Sequence, residues 1–133
     1  MKSNELHNDD KHLVLLIEDE AALQEAAKLK LERSGLRCVA VSTAEEGLLF
    51  LEQERPGLIW LDLLLPGMGG FAFLQRLRES QTWKEIPVMI VSVSAGPEKI
   101  HRAFELNVVD YLVKSQYKLS DIVGRVENFL KKS

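Results

Sequence analysis

The chain of 133 residues has the length of one ordinary domain, and 46% hydrophobic with 28% charged residues is the composition of a globular protein rather than a disordered one. A net charge of −3 provides no basic excess for nucleic acid or an acidic membrane, and no apolar run approaches the roughly 20 residues of a membrane span. Cys38 is the single cysteine, which excludes an internal disulfide, and we predict that it is a buried, inert thiol. Residues 1–10 lack the apolar core of a signal peptide, so we predict a cytoplasmic protein.

Short aliphatic runs alternate with amphipathic stretches along the chain. In chain order, the pattern predicts strands near 12–18, 37–41, 58–62, 87–92 and 109–113. Helices are predicted near 20–34, 44–54, 70–81, 97–106 and 119–131. Because parallel neighbours need a crossover connection, this alternation predicts a parallel α/β sheet covered by helices on both faces. Residues 1–11 are predicted to form a polar tail ahead of a single domain at 12–133.

Turn and capping residues mark several of these boundaries. Gly35 follows the first helix, where a left-handed residue is needed. Thr43 and Glu46 have capping-box spacing, and Ser42 and Glu45 have the same spacing one residue earlier. The second helix is predicted to begin there in either register. Pro56-Gly57 and Pro66-Gly67 are predicted to form turns on either side of the third strand.

Polar residues stand at the ends of four of the predicted strands. They are Glu18 and Asp19 after the first strand, Asp62 after the third, Ser92 at the end of the fourth and Lys114 after the fifth. The carboxyl ends of parallel strands meet at one edge of the sheet, where open α/β folds bind ligands. Carboxylates crowded at that edge favour a hard divalent cation such as Mg²⁺.

These residues carry more information together than singly. A charge just past a strand is usually a solvated loop residue, which is the simpler interpretation of Glu18, Asp19 or Lys114 alone. Asp62 is different, because apolar residues flank it on both sides and a buried carboxylate is costly unless it is compensated. Four polar strand ends in one chain therefore indicate a site.

The same residues carry a resemblance to a known family. The pair Glu18-Asp19, the segment 62–70 (DLLLPGMGG), Ser92, and Lys114 with Tyr111 three residues before it have a characteristic order and spacing. In these features the chain resembles the response-regulator receiver domain of two-component signalling, over nearly its whole length after residue 11. The resemblance implies a flavodoxin-like doubly wound fold with strand order 2-1-3-4-5.

The resemblance also implies roles for the acidic residues. Asp62 would be the nucleophile that takes a phosphoryl group from a phosphohistidine. Mg²⁺ would be bound by Asp19, Asp62 and the backbone carbonyl of Leu64, with Glu18 acting through a water molecule. The bound metal would offset charge repulsion during transfer.

Three further residues are implied to respond to phosphorylation. Lys114 would contact Asp62 at rest and a phosphoryl oxygen afterwards, and Ser92 would donate a hydrogen bond to another phosphoryl oxygen. The inward movement of Ser92 would let Tyr111 swing inward, which would reshape the face built from the fourth helix, fifth strand and fifth helix. An equally good interpretation of Tyr111 is a half-buried strand aromatic.

The predicted function is that of a phosphoacceptor switch rather than an enzyme. The predicted partners are a histidine kinase or phosphotransfer protein and a downstream protein. Dimerisation through the switching face on phosphorylation is a further hypothesis. No nucleic-acid or membrane partner is predicted. Because no output domain is evident, we expect the effect to come from protein contact, phosphate relay or a larger assembly.

Four residues depart from the family pattern or adapt it. Val93 replaces the usual small residue, so we expect slow phosphorylation by small donors. Ser115 replaces a common cis proline, so we expect a trans or rearranged loop, since a cis bond before serine would cost roughly 3 kcal/mol. Leu64 and Ser94 offer no carboxylate or carboxamide to orient an attacking water, so we expect a long-lived phosphoryl group.

Two alternatives remain at this point. One is a flavodoxin-like or phosphatase-like enzyme that uses Asp62 in multiple turnover. It is disfavoured because no second acid is evident to serve as general acid and no flavin-binding loop is evident. The other is a degenerate receiver that binds partners constitutively. Val93 is compatible with it, but the complete set of acids, serine and lysine argues against it.

Overall fold

Five parallel strands form a single sheet in the computed structural model, which describes residues 9–93 and 96–132. The strands are β1 (Asp9–Ile17), β2 (Arg37–Val41), β3 (Arg55–Leu61), β4 (Val88–Ser92) and β5 (Asp110–Val113). They lie in the order β2-β1-β3-β4-β5, and each neighbouring pair is parallel. The predicted flavodoxin-like α/β fold and its strand order are confirmed.

Helices cover both faces of the sheet. They are α1 (Ala21–Arg33), α2 (Ala44–Leu51), α3 (Gly69–Glu79), α4 (Pro97–Glu105) and α5 (Leu119–Lys132), with a short 3-10 helix at Lys114–Gln116. The buried residues of α1 and α5 belong to one core cluster, and those of α2, α3 and α4 belong to a second cluster. Each crossover helix therefore packs on one face or the other, as a doubly wound sheet requires.

The central strands are apolar along their whole length because both of their faces are covered. In β1, Leu15 and Ile17 pack under α2 and α3, whereas Val14 and Leu16 pack on the opposite face. All four side chains are fully buried. This is why the strand appears in the sequence as an unbroken aliphatic run instead of an alternating pattern.

The predicted turn at Pro56-Gly57 is wrong. Strand β3 begins at Arg55, so both residues lie inside the strand, and Pro56 pairs with Asp10 of β1. A Cβ on Gly57 would lie 2.4 Å from the backbone oxygen of Lys11. The glycine is therefore present because the neighbouring backbone comes too close for a side chain, which the Pro-Gly dipeptide alone does not reveal.

Strand β1 is also longer than predicted. It begins at Asp9, so residues 9–11 of the predicted tail lie in the sheet. Asp9 pairs with Arg55 and Asp10 with Pro56, and the register then shifts before Val14. The sequence does not reveal this extension, because its polar side chains interrupt the apolar pattern that marks the rest of β1.

Other boundary signals behave as predicted. Gly35 has a φ of +89° at the end of α1, and Gly67 has a φ of +73° in the turn after β3. The amide of Glu46 donates to the Thr43 side chain at 3.1 Å and the Glu46 carboxylate accepts from the Thr43 amide, which completes the capping box of α2. That helix ends at Leu51, three residues earlier than predicted.

Two further observations concern the cysteine and the lengths of the helices. Cys38 is buried in β2, and burial raises the pKa of its thiol to about 12, which fits the inert thiol that we expect. Within residues 9–93 and 96–132, no helix combines the length and apolar character needed to cross a bilayer.

We expect two glycine substitutions to have opposite effects on stability. Gly57→Ala should lower the free energy of unfolding by about 2 kcal/mol, because the new methyl overlaps the backbone of Lys11. Gly124→Ala, in α5, should raise it by about 0.5 kcal/mol, because an added Cβ meets no atom within 4 Å and alanine favours the helix. Urea unfolding of both variants tests this, and a Gly57→Ala variant as stable as the wild type would contradict it.

Candidate functional site

The polar residues singled out in the sequence lie at the carboxyl edge of the sheet. Glu18 and Asp19 follow β1, Asp62 follows β3, Ser92 is the last residue of β4, and Lys114 opens the 3-10 helix after β5. Since all of these strands are parallel, their carboxyl ends share one edge. The fold thereby gathers residues that are up to 96 positions apart in the sequence.

Lys114 holds two buried carboxylates together. Its Nζ donates to Oε1 of Glu18 at 2.8 Å and to Oδ2 of Asp62 at 3.1 Å. Glu18 is 0% exposed and Asp62 is 4% exposed. Charges this deeply buried are tolerated only when they are paired and hydrogen bonded, and the lysine meets that need for both acids.

The pKa values of this group reflect burial and pairing in competition. Burial raises the pKa of Glu18, although the hydrogen bond from Lys114 opposes the shift. Burial alone would lower the pKa of Lys114, but the hydrogen bond to Glu18 and the charge of Asp62 outweigh it and raise that pKa. The lysine therefore stays charged at neutral pH. Its single positive charge is the counter-charge to the buried carboxylates of Glu18 and Asp62.

Three carboxylates lie close enough to share one cation. Oxygen atoms of Glu18, Asp19 and Asp62 all lie within 4.8 Å of one another, and Asp19 is exposed at the mouth of the cluster. Carboxylate oxygens are the donors that Mg²⁺ and similar hard cations prefer. One lysine offsets only part of the three negative charges, so the residues present fit a divalent cation.

The loop after β3 is held in place on both sides of the cluster. The amide of Leu64 donates to Oδ1 of Asp62 at 3.1 Å, which orients the carboxylate. The amide of Met68 donates to Oε2 of Glu45, in the first turn of α2, at 3.1 Å. A Cβ on Gly70 would lie 2.5 Å from the carbonyl oxygen of Asp62, so α3 can begin this close to the site only with glycine.

Two residues that contact this region could not be singled out from the sequence. Glu45 was one of the two candidates for the capping box, and because Glu46 forms the box, Glu45 is left to hold the loop. The side-chain amide of Gln24 donates to the carbonyl oxygens of Glu18 at 2.7 Å and Val41 at 3.0 Å. No local pattern distinguishes either residue from a solvated helix residue.

The predicted switch residues are both buried. Ser92 is fully buried at the end of β4. Tyr111 is 9% exposed and belongs to the core under α3 and α4, so its ring is more buried than a half-buried strand aromatic. Burial and the charge of Asp62 raise the pKa of the Tyr111 hydroxyl. The switching roles of both residues stay predictions.

The departures from the family pattern lie around the site mouth. Val93, directly after β4, is 59% exposed and Leu64, two residues after Asp62, is 51% exposed, so both apolar side chains face solvent. The peptide bond between Lys114 and Ser115 is trans, as expected without a proline there. Ser94, the other residue expected to influence phosphoryl lifetime, lies outside the described residues.

Comparison with known proteins agrees with this geometry. The chain is similar to the transcriptional regulatory protein AfsQ1 of Streptomyces coelicolor, with 35% identity over 101 residues that make up 76% of this chain and 44% of that protein. The chain spans about half the length of the curated relatives it matches.

Two solved structures are similar over most of both chains. The signal receiver domain of a signal transduction histidine kinase from Syntrophus aciditrophicus has 28% identity and a TM-score of 0.79, and the match covers 90% of each chain. The Mn²⁺-bound form of the response regulator Rcp1 has 29% identity and a TM-score of 0.75, with 87% of this chain and 89% of that chain covered. Residues 14–127 match the response regulator receiver domain family, and the chain therefore belongs to that family.

Proposed function

We propose that this chain is a phosphoacceptor switch in which Asp62 accepts a phosphoryl group from the phosphohistidine of a kinase or phosphotransfer protein. The observation that carries the proposal is the Lys114 ammonium, which contacts both Asp62 and Glu18 inside a cluster of three carboxylates. Such a cluster, with a paired lysine and an adjacent buried serine, suits transfer of an anionic group rather than binding of an apolar ligand.

In the proposed reaction, an oxygen of the Asp62 carboxylate attacks phosphorus while the bond from phosphorus to the donor nitrogen breaks. Asp19, Asp62 and the carbonyl of Leu64 would hold a Mg²⁺ ion, with Glu18 acting through water, and the ion would supply positive charge for the phosphoryl oxygens. The hydrogen bond from the Leu64 amide to Oδ1 of Asp62 leaves the second carboxylate oxygen, Oδ2, to face Lys114.

After transfer, Lys114 and Ser92 interact with the new group. The phosphoryl adds about −2 charge, so the Lys114 ammonium pairs with one of its oxygens and the Ser92 hydroxyl donates to another. Tyr111 is already buried, so switching requires a change in its position or in the population of two packings, not entry from solvent. The phosphoryl must favour one packing by a few kcal/mol for the switch to work.

The proposed output surface is the face formed by α4, β5 and α5. Phe104 in α4 and Val109 before β5 are exposed, and Asp110 in β5 forms an ion pair with Arg125 in α5. Exposed apolar side chains near paired charges suit a protein partner, either a downstream protein or a second copy of the chain. We propose both partners, the kinase that donates the phosphoryl group and the protein that binds this surface.

Labelling with acetyl phosphate tests the function directly. The protein is incubated with acetyl phosphate, with and without Mg²⁺, and its mass is measured before and after a brief alkaline treatment. We expect the mass of one phosphoryl group, only with Mg²⁺, lost in base and located at Asp62 by fragmentation. Steady release of phosphate would instead indicate a hydrolytic enzyme, and absence of labelling would indicate a constitutive binding module.

Val93→Ala is expected to speed modification by acetyl phosphate several-fold. The Val93 side chain is exposed and directly follows Ser92 at the carboxyl end of β4, so we expect its shortening to widen the approach to Asp62. The measurement is the initial rate of the mass increase in Mg²⁺. Leu29→Ala is the control, since it shortens an exposed aliphatic side chain of α1 that belongs to neither the site nor the proposed output surface. An unchanged rate in Val93→Ala would show that this side chain does not restrict access.

A further inference from the structure

We infer that Gln24 is a positioning residue for the acidic loop that follows β1, and that it sets the affinity of the site for Mg²⁺ through Asp19. The inference rests on the proposed function, which takes Asp19 as a metal ligand. Gln24 lies in the first turn of α1 and does not itself belong to the carboxylate cluster.

The amide of Gln24 joins two loops at the carboxyl edge of the sheet. Its Nε2 lies 2.7 Å from the carbonyl oxygen of Glu18, 3.0 Å from that of Val41 and 3.3 Å from the Ser42 hydroxyl oxygen. The two amide hydrogens can serve both carbonyls at once. The loop after β1 is thereby fastened to the end of β2.

The loop at residues 18–20 is held from its other side as well. The backbone amide of Glu20 donates to Oε2 of Glu18 at 2.9 Å, and the amide of Glu18 donates to the Val41 carbonyl at 3.1 Å. Gln24 supplies the remaining restraint, on the carbonyl of Glu18. That carbonyl belongs to the peptide unit that joins Glu18 to Asp19.

Asp19 depends on this restraint more than the other acids do. Lys114 holds the side chains of Glu18 and Asp62 directly. Asp19 is exposed, and among the residues that the structure describes none donates a hydrogen bond to its carboxylate. Its distance from the other two acids is therefore set by the backbone that Gln24 fastens, as hydrogen bonds behind a ligand orient the ligand in many metal sites.

The test measures metal affinity instead of phosphorylation. Mn²⁺ is titrated into the protein and free Mn²⁺ is followed by electron paramagnetic resonance, with Mg²⁺ as competitor. Gln24→Met keeps the length of the side chain but donates no hydrogen bond, and we expect about tenfold weaker binding of both ions. Gln75→Met, at an exposed position of α3, is the matched control and should bind like the wild type.

Two further measurements separate positioning from general destabilisation. In an Asp19→Asn background, Gln24→Met should cause no additional loss of affinity, because the two residues act on the same ligand. Gln24→Glu adds negative charge near the site, and by charge alone this would tighten cation binding. We nevertheless expect weaker binding, because the new carboxylate faces two carbonyl oxygens that repel it. This variant also provides the measurement if Gln24→Met does not fold.

The outcomes distinguish failure of the role inferred for Gln24 from failure of the proposed metal site. Wild-type affinity in both Gln24 variants, or an undiminished loss in the Asp19→Asn background, would overturn the inference and leave the metal site intact. A wild-type protein that binds neither ion would remove the metal site itself, and the role of Gln24 with it.

Discussion

Asp62→Asn is expected to abolish modification by acetyl phosphate completely. The asparagine amide has no carboxylate oxygen to attack phosphorus, and Glu18, the other buried acid of the cluster, is poorly placed to replace it. Glu18 is fully buried with both oxygens engaged, by Lys114 and by the Glu20 amide. The same substitution removes one of two negative charges beside Lys114, so without Mg²⁺ it should raise the free energy of unfolding by about 1 kcal/mol.

Both effects of Asp62→Asn are measured on one preparation. Mass spectrometry after incubation with acetyl phosphate and Mg²⁺ reports the modification, and urea unfolding without Mg²⁺ reports the stability. Glu79→Gln removes one exposed acid of α3 and should change neither quantity. Modification that persists in Asp62→Asn would place the phosphoacceptor elsewhere, and a loss of stability would mean that the three acids do not repel one another.

Lys114→Met is expected to destabilise the protein by about 3 kcal/mol at pH 7 without Mg²⁺. Lys114 is 17% exposed and is hydrogen bonded to two buried acids. Its removal leaves Glu18 and Asp62 buried without a cation, and an uncompensated buried charge is far more costly than the loss of a surface ion pair. Added Mg²⁺ should restore part of the lost stability, because a cation bound only by the folded state favours that state.

The effect of Lys114→Met should depend on pH in a defined direction. Burial raises the pKa of Glu18 above its ordinary value of 4.5, and loss of the lysine raises it further. An acid with a raised pKa in the folded state lowers stability above that pKa and stops doing so below its unfolded value. The gap between the variant and the wild type should therefore narrow as the pH falls from 7 to about 4.

Urea unfolding at pH 7 and pH 4.5, with and without Mg²⁺, measures this dependence. Lys30→Met, on the exposed surface of α1, is the control for loss of a lysine and should have little effect at either pH. A pH-independent loss of stability in Lys114→Met would mean that packing of the lysine side chain, rather than charge compensation, is its contribution.

The sequence alone determined the architecture and the membership of the acidic cluster. Apolar runs such as Leu13–Ile17 are visible because a strand covered on both faces excludes polar side chains throughout. Asp62 could be recognised because it interrupts such a run, and the strand-end position of Lys114 placed it at the same edge of the sheet. The dipeptide Pro56-Gly57 is compatible with a turn and with a tightly packed strand, and the predicted turn was wrong. Only the approach of the Lys11 backbone distinguishes the two structures.

Only the tertiary structure decided which polar helix residues touch the site. Gln24 reaches Val41, 17 residues away, and Glu45 reaches Met68, 23 residues away, so both contacts depend on how helices sit against loops that the local sequence does not specify. The burial of Tyr111 has the same origin, since it depends on the packing of α3 and α4 over β5. Local sequence sets the hydrophobic period and the ends of each helix and strand. The partners of a side chain follow instead from long-range packing, which exists only once the whole sheet has formed.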